Sequence, residues 1–181
     1  MKDFDSTTTP TRTLLIANTL PETDTAALSA IAELTASLPE GHVIHTERLR
    51  LLPCVGCNDC WLKTPGMCSI KDDYEQLLKA YLSYDAVVFL AGTAFGFVDY
   101  RMKNVIDRIL PLFTMYTFLV DGEMRHVPRY DKKYSFGLLY AGEGDHEYLN
   151  LWMNRVMVNM LGKSLGAYPI QNSKEAISCI L

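Results

Sequence analysis

The stretch DAVVFLAGTAFGFVDYRMKNVIDRI, Asp85 to Ile109, decides the fold. Ala86 to Ala91 is an unbroken apolar run, which is how a strand buried on both faces reads. It passes into Gly92-Thr93-Ala94-Phe95-Gly96-Phe97, where glycines and small residues alternate with aromatics. Met102, Val105, Ile106, Ile109 and Leu110 then recur at helical spacing until Pro111 ends the run. Strand, glycine turn and helix in that order are one half of a βαβ unit.

The same alternation runs outward from this stretch. Upstream, Thr13 to Ala17 reads as a buried strand. A helix follows, capped by Thr23 or Asp24, with Leu28, Ile31, Thr35 and Leu38 on its inner face. A second strand covers His42 to Thr46. Asp72-Asp73 opens a helix that carries Tyr74, Leu77, Leu78, Tyr81 and Leu82 inward, and the acidic pair suits the positive end of the helix dipole. Downstream, the pattern breaks between residues 112 and 134, where Asp121-Gly122 marks the turn of an inserted β-hairpin. Phe136 to Tyr140 is a fourth strand. A helix with Leu149, Trp152, Met153, Val156 and Met160 inward leads to a fifth strand at Ala167 to Ile170, and Ser173 to Leu181 can close with a short helix. Strand and helix alternating in this way give a doubly wound α/β fold with a five-stranded parallel sheet, and the flavodoxin-like strand order is expected. Residues 1–11 are polar and aperiodic, a flexible tail ahead of a single domain at 12–181.

Composition narrows the function. The chain has 181 residues, long enough for a core without disulfides. A net charge of −4 and no basic cluster argue against nucleic acid. No run approaches the ~20 apolar residues that span a bilayer. The N-terminus lacks a secretory pattern, so a cytoplasmic location is expected.

Four of the five cysteines lie in PCVGCNDCWLKTPGMCSIKDD, Pro53 to Asp73, as Cys54, Cys57, Cys60 and Cys68. In a reducing compartment such crowding points to a metal, an iron–sulfur cluster or thiol redox chemistry rather than to structural disulfides. Cysteine as a small buried hydrophobe accounts for one or two of them but not for four. The tight triplet with a more distant fourth is closer to [4Fe–4S] ligation than to a zinc knuckle.

In a doubly wound sheet, ligands bind at the carboxyl ends of the strands. Three loops converge there. The first, with Asn18, Thr19, Thr23 and Thr25, precedes a helix N-terminus suited to a phosphate. The second, Thr93, Ala94, Phe95, Gly96 and Phe97, lets a flat ring lie against backbone. The third carries Gly142 and Gly144, which permit close approach. Phosphate plus flat ring describes a mononucleotide, and flavin mononucleotide (FMN) is the natural candidate. Turn residues also occur in such loops simply to turn and cap. Glu22 and Asp24 bring carboxylates beside the phosphate loop, which favours a non-catalytic redox- or metal-sensing protein that has lost FMN. No side chain stands out as a catalytic acid or base.

The cysteine segment, together with DAVVFLAGTAFGFVDYRMKNVIDRI, resembles the flavodoxin-like NAD(P)H-dependent FMN reductases, in particular their iron–sulfur flavoprotein branch. Lys103-Asn104-Val105-Ile106-Asp107-Arg108 is similar to that family's lysine-to-Asp-Arg signature. The resemblance implies an FMN-dependent oxidoreductase that takes electrons from NAD(P)H and passes them through flavin to a small-molecule or protein acceptor. It implies a homodimer or homotetramer as well. An electron carrier with a [4Fe–4S] cluster on Cys54, Cys57, Cys60 and Cys68 is the alternative.

Overall fold

The computed structural model describes residues 13–38 and 41–180, so the tail read at 1–11 lies outside the described residues. The central sheet uses β1 (Leu14–Asn18), β2 (His42–His45), β3 (Ala86–Ala94), β7 (Ser135–Ala141) and β8 (Lys163–Pro169). Their order is β2-β1-β3-β7-β8 and every pairing along it is parallel. This is the flavodoxin-like order, with the switch between β1 and β3. A two-residue strand, β4 (Phe97–Val98), folds back antiparallel on the end of β3.

Helices cover both faces because the interiors of β1, β3 and β7 are apolar on both. Leu14, Ile16, Val88 and Leu90 face α1 (Thr25–Ser37) and α6 (Ser173–Ile180). Leu15, Ala17, Val87, Phe89, Phe136 and Leu138 face α3 (Tyr74–Ser83), α4 (Tyr100–Asp107) and α5 (His146–Asn159). One detail of the α1 reading is corrected. Ala27, Ala30, Leu34 and Leu38 are buried while Leu28 is half exposed. The cap is Asp24, whose carboxylate accepts from the Ala27 amide at 2.9 Å. Small residues turn inward where α1 meets α6 beside the sheet. Hydrophobicity alone cannot rank alanine above leucine there.

The hairpin consists of β5 (Phe113–Val120) and β6 (Glu123–Pro128), paired antiparallel around Asp121-Gly122. It is shorter than the 112–134 span read from sequence: Leu112 belongs to a preceding single turn, and residues 129–134 lead irregularly back to β7. Both turn residues have positive φ, 51° and 79°, as a two-residue hairpin turn requires.

The cysteine loop hangs from a buried clamp. Arg108, 2% exposed, makes a two-armed ion pair with Asp72 and donates to the Leu52 carbonyl at 2.9 Å. Its guanidinium lies 4.4 Å from the centre of the Tyr74 ring. Asp72 in turn accepts from the Leu52 amide at 2.8 Å, and Asp73 from the Arg50 amide at 2.9 Å. The two ends of the loop are thereby held side by side against the end of α4.

Burial alone would raise the Asp72 pKa, but hydrogen bonds from Arg108 and from the Leu52 and Tyr74 amides outweigh it and hold it below the ordinary value. A carboxylate with a depressed folded pKa stabilises the fold above its unfolded pKa, and loses that contribution as pH falls through the folded one. Asp72→Asn leaves the Arg108 charge buried and uncompensated, and is expected to cost about 3–5 kcal/mol at pH 7. In urea unfolding the gap from the native chain should stay constant down to about pH 4 and narrow below it. A gap that grows on acidification would contradict the assignment.

Candidate functional site

The second and third loops are laced into one platform at the carboxyl edge. Thr93 and Ala94 pair with Val98 and Phe97, so Phe95-Gly96 is a tight two-residue turn. Both residues have positive φ, 53° and 78°. Glycine adopts this freely, whereas phenylalanine pays about 1–2 kcal/mol for it. Phe95 is also fully exposed. The Asp145 amide donates to the Gly96 carbonyl at 2.9 Å, and the Thr93 hydroxyl to the Ala141 carbonyl at 3.1 Å. These bonds bring Thr93, Ala94, Phe95, Gly96 and Phe97 against the loop holding Gly142 and Gly144. A Cβ on Gly142 would come 2.6 Å from the Thr93 hydroxyl, and one on Gly144 within 2.9 Å of Tyr140 and Leu149. At Gly96 a Cβ would meet nothing closer than 3.9 Å, so the platform is open above that residue.

The first loop is more committed than its sequence suggested. The Thr19 hydroxyl donates to the Leu90 carbonyl at 3.0 Å. The Asn18 amide accepts from Leu20 N, donates to Leu20 O, and meets the His45 ring at 3.1 Å. Both side chains are buried and shape the loop from within. Thr23 and Thr25 flank the capping Asp24 at the N-terminus of α1. Glu22, whose charge would oppose a phosphate, forms a two-armed ion pair with Arg48. That hydrogen-bonded pair keeps the Glu22 pKa below the usual carboxylate value. Arg48 follows β2 and Arg101 lies in the first turn of α4, and the two cations were missed in the sequence because they come from other segments. Arg101 lines a small cleft with Thr19, Glu47 and Asn104.

The four cysteines share one neighbourhood. Burial raises the Cys60 thiol pKa, and the charges that Cys68, Cys57 and Cys54 would carry raise it further. Cys54 and Cys57 are exposed, Cys68 is half-buried and Cys60 is buried. Among the described residues, however, no three His, Cys, Asp or Glu side chains are gathered to hold a metal ion. The metal-ligand set Cys54, Cys57, Cys60 and Cys68 therefore stands as one loop, not as an assembled ligand cage. Gly56, Asn58 and Gly66 take left-handed backbone, and Cys60, in the single turn of α2 (Asp59–Leu62), is buried.

No family model matches the chain. An iron–sulfur flavoprotein of Archaeoglobus fulgidus is 30% identical over 143 residues, which are 78% of this chain and 56% of that protein. An iron–sulfur flavoprotein of Methanocaldococcus jannaschii is 38% identical over 91 residues, 48% of this chain and 42% of its own. The chain thus spans about half the length of the curated relatives it matches. Among solved structures, an NAD(P)H:quinone oxidoreductase from Methanothermobacter marburgensis has a TM-score of 0.60 at 13% identity, covering 94% of both chains. RosB with a bound riboflavin-phosphate intermediate also has a TM-score of 0.60, at 15% identity, covering 93% of this chain and 74% of that one. These two likenesses concern the fold. No helix among the described residues is long and apolar enough to cross a membrane.

The thiols should differ in reactivity. The Ser69 hydroxyl, 3.4 Å from the Cys57 sulfur, and nearby backbone amides lower the Cys57 pKa, whereas that of Cys60 is raised. Since the thiolate is the nucleophile, iodoacetamide at pH 7.5 should modify Cys57 before Cys60, and Ser69→Ala should slow Cys57. Peptide mapping of a time course reads this directly, and faster labelling of Cys60 would overturn it.

Proposed function

We propose that this chain, a flavodoxin-like relative of the iron–sulfur flavoproteins, is an FMN-dependent oxidoreductase that takes electrons from NAD(P)H and passes them to a small-molecule or protein acceptor. One observation carries the reading. An exposed aromatic, Phe95, is held in left-handed backbone at the carboxyl edge, on a platform cross-tied to a glycine loop. Strain and exposure together at the topological switch of a parallel sheet support a ligand with a flat ring.

Thr93, Ala94, Phe95, Gly96 and Phe97, with Gly142 and Gly144, would hold the ring. Thr23, Thr25 and the α1 amides would hold the phosphate, with Glu22 neutralised by Arg48. Asn18 and Thr19 would keep the first loop in shape. Bound FMN supplies hydride-accepting chemistry, while the protein places the ring and excludes water.

The relatives' iron–sulfur name and the shared neighbourhood of the four thiols support a second reading, an electron carrier with a [4Fe–4S] cluster. Cys54, Cys57, Cys60 and Cys68 would have to rearrange to ligate it.

A homodimer or homotetramer completes the proposal. Tyr116, Leu119 and Met124 expose about 70% of their surface on the hairpin, apolar area that a second copy would cover.

An absorption spectrum of oxygen-free protein, with iron and sulfide assayed on the same sample, tests the reading. Flavin without iron, bleached by NAD(P)H, supports it. About four irons per chain would favour the carrier. Neither flavin nor iron, even after added FMN, would overturn it. Gly96→Val should weaken FMN at least about tenfold, since a β-branched residue resists positive φ. By light scattering, Leu119→Lys should shift an oligomer toward monomer, and a native chain already monomeric would remove that part of the proposal.

A further inference from the structure

A cavity of about 650 Å³ opens between the cysteine loop, α4, the hairpin and α5. Its volume falls in the range of small-molecule sites, about 300–1,000 Å³. Both of the chain's two tryptophans line it. Trp61 is fixed by its indole N–H, which donates to the Leu110 carbonyl at 2.9 Å, and by the His126 ring 4.7 Å away. Trp152 packs edge-on against Phe97 at 5.0 Å, so the platform and the cavity share this aromatic pair as a wall.

The polar groups of the cavity are unevenly used. Arg125, 6% exposed, lines it. Its terminal nitrogens go to the Met124 carbonyl and to Glu123, but its Nε, buried, has no partner among the described residues. Glu123 is shared between Arg125 and Arg155, which leaves one positive charge in excess. Lys103, also on the wall, is already paired with Asp107. His126 Nδ1 lies 3.0 Å from the Thr114 carbonyl and must carry the proton, so a neutral His126 presents only an acceptor at Nε2.

Flat apolar walls and a surplus cation describe a specific kind of ligand. We propose that this cavity is a second small-molecule site, separate from the flavin platform. It takes a planar aromatic of up to two fused rings whose carbonyl or carboxylate oxygen meets the Arg125 guanidinium. A molecule there lies one aromatic pair, Trp152 and Phe97, away from the platform.

Calorimetry on the purified full chain with 2-naphthoate and with 2-acetonaphthone tests this, with tryptophan emission read in parallel. Saturable binding that quenches emission and persists in the presence of FMN is expected. Binding of both probes identifies a carbonyl-type oxygen as sufficient, and binding of naphthoate alone identifies an anion. Arg125→Met keeps the length of the side chain and leaves Glu123 its Arg155 partner, and it should weaken binding at least about tenfold. Val156→Phe should fill the cavity and abolish binding, and it decides the matter if Arg125→Met fails to fold. The inference is overturned if neither probe binds, if FMN displaces the probe, or if both folded variants bind as the native chain does. Flavin binding on the same samples separates the two proposals. Flavin without probe removes this inference alone, and probe without flavin removes the oxidoreductase reading alone.

Discussion

The buried pair of Asp72 and Arg108 is the contact on which the functional end of the molecule depends. Its two side chains are essentially out of water, so each needs the other, and each also serves the backbone: Arg108 the Leu52 carbonyl, Asp72 the Leu52 and Tyr74 amides. Burial works against the Arg108 charge, yet the hydrogen bonds to Asp72 and Cys68 outweigh it and hold the guanidinium pKa above its ordinary value. A buried ion pair is a weak source of stability compared with apolar packing, but breaking one is costly. Here it closes a long polar loop that has little core of its own. The loop then supplies Trp61 and Cys54 to the wall of the cavity.

Beside that clamp, the carboxyl edge of the sheet shows a division of labour. The interiors of β1, β3 and β7 are buried and paired in parallel, which gives a rigid base. The strain sits just beyond it, at Phe95, where the tight turn and hydrogen bonds between neighbouring loops hold a non-glycine residue in left-handed backbone. Rigid strands are what make such strain sustainable, because a mobile base would relax it. Phe97 carries the same platform sideways onto Trp152 and Tyr148, so the platform and α5 are mechanically joined.

The first loop shows why a polar residue at a strand end is ambiguous. Thr19 and Asn18 have the side chains a phosphate needs, and both are spent inside the protein on Leu90, Leu20 and His45. Glu22 has the wrong charge for a phosphate, and Arg48 cancels it. Neither outcome follows from the residues of that loop, since each partner comes from a different element.

The sequence by itself determined the parallel α/β architecture, the strand order and the place of the hairpin. Apolar runs in β1, β3 and β7 and the Asp121-Gly122 turn are local signals, and local physics reads them. It also located the second and third loops, because glycine at a strand end marks backbone that must turn or approach closely. Only the tertiary structure decided which α1 residues face the sheet, that Arg108 is a buried clamp, and that Arg125 keeps an unpaired buried nitrogen beside two indoles. It also decided that the four cysteines share a loop without converging on one point. The physical reason is the same in each case. Periodicity and turn chemistry act over a few neighbouring residues, whereas burial, pairing and orphaned polar groups depend on which distant segments meet.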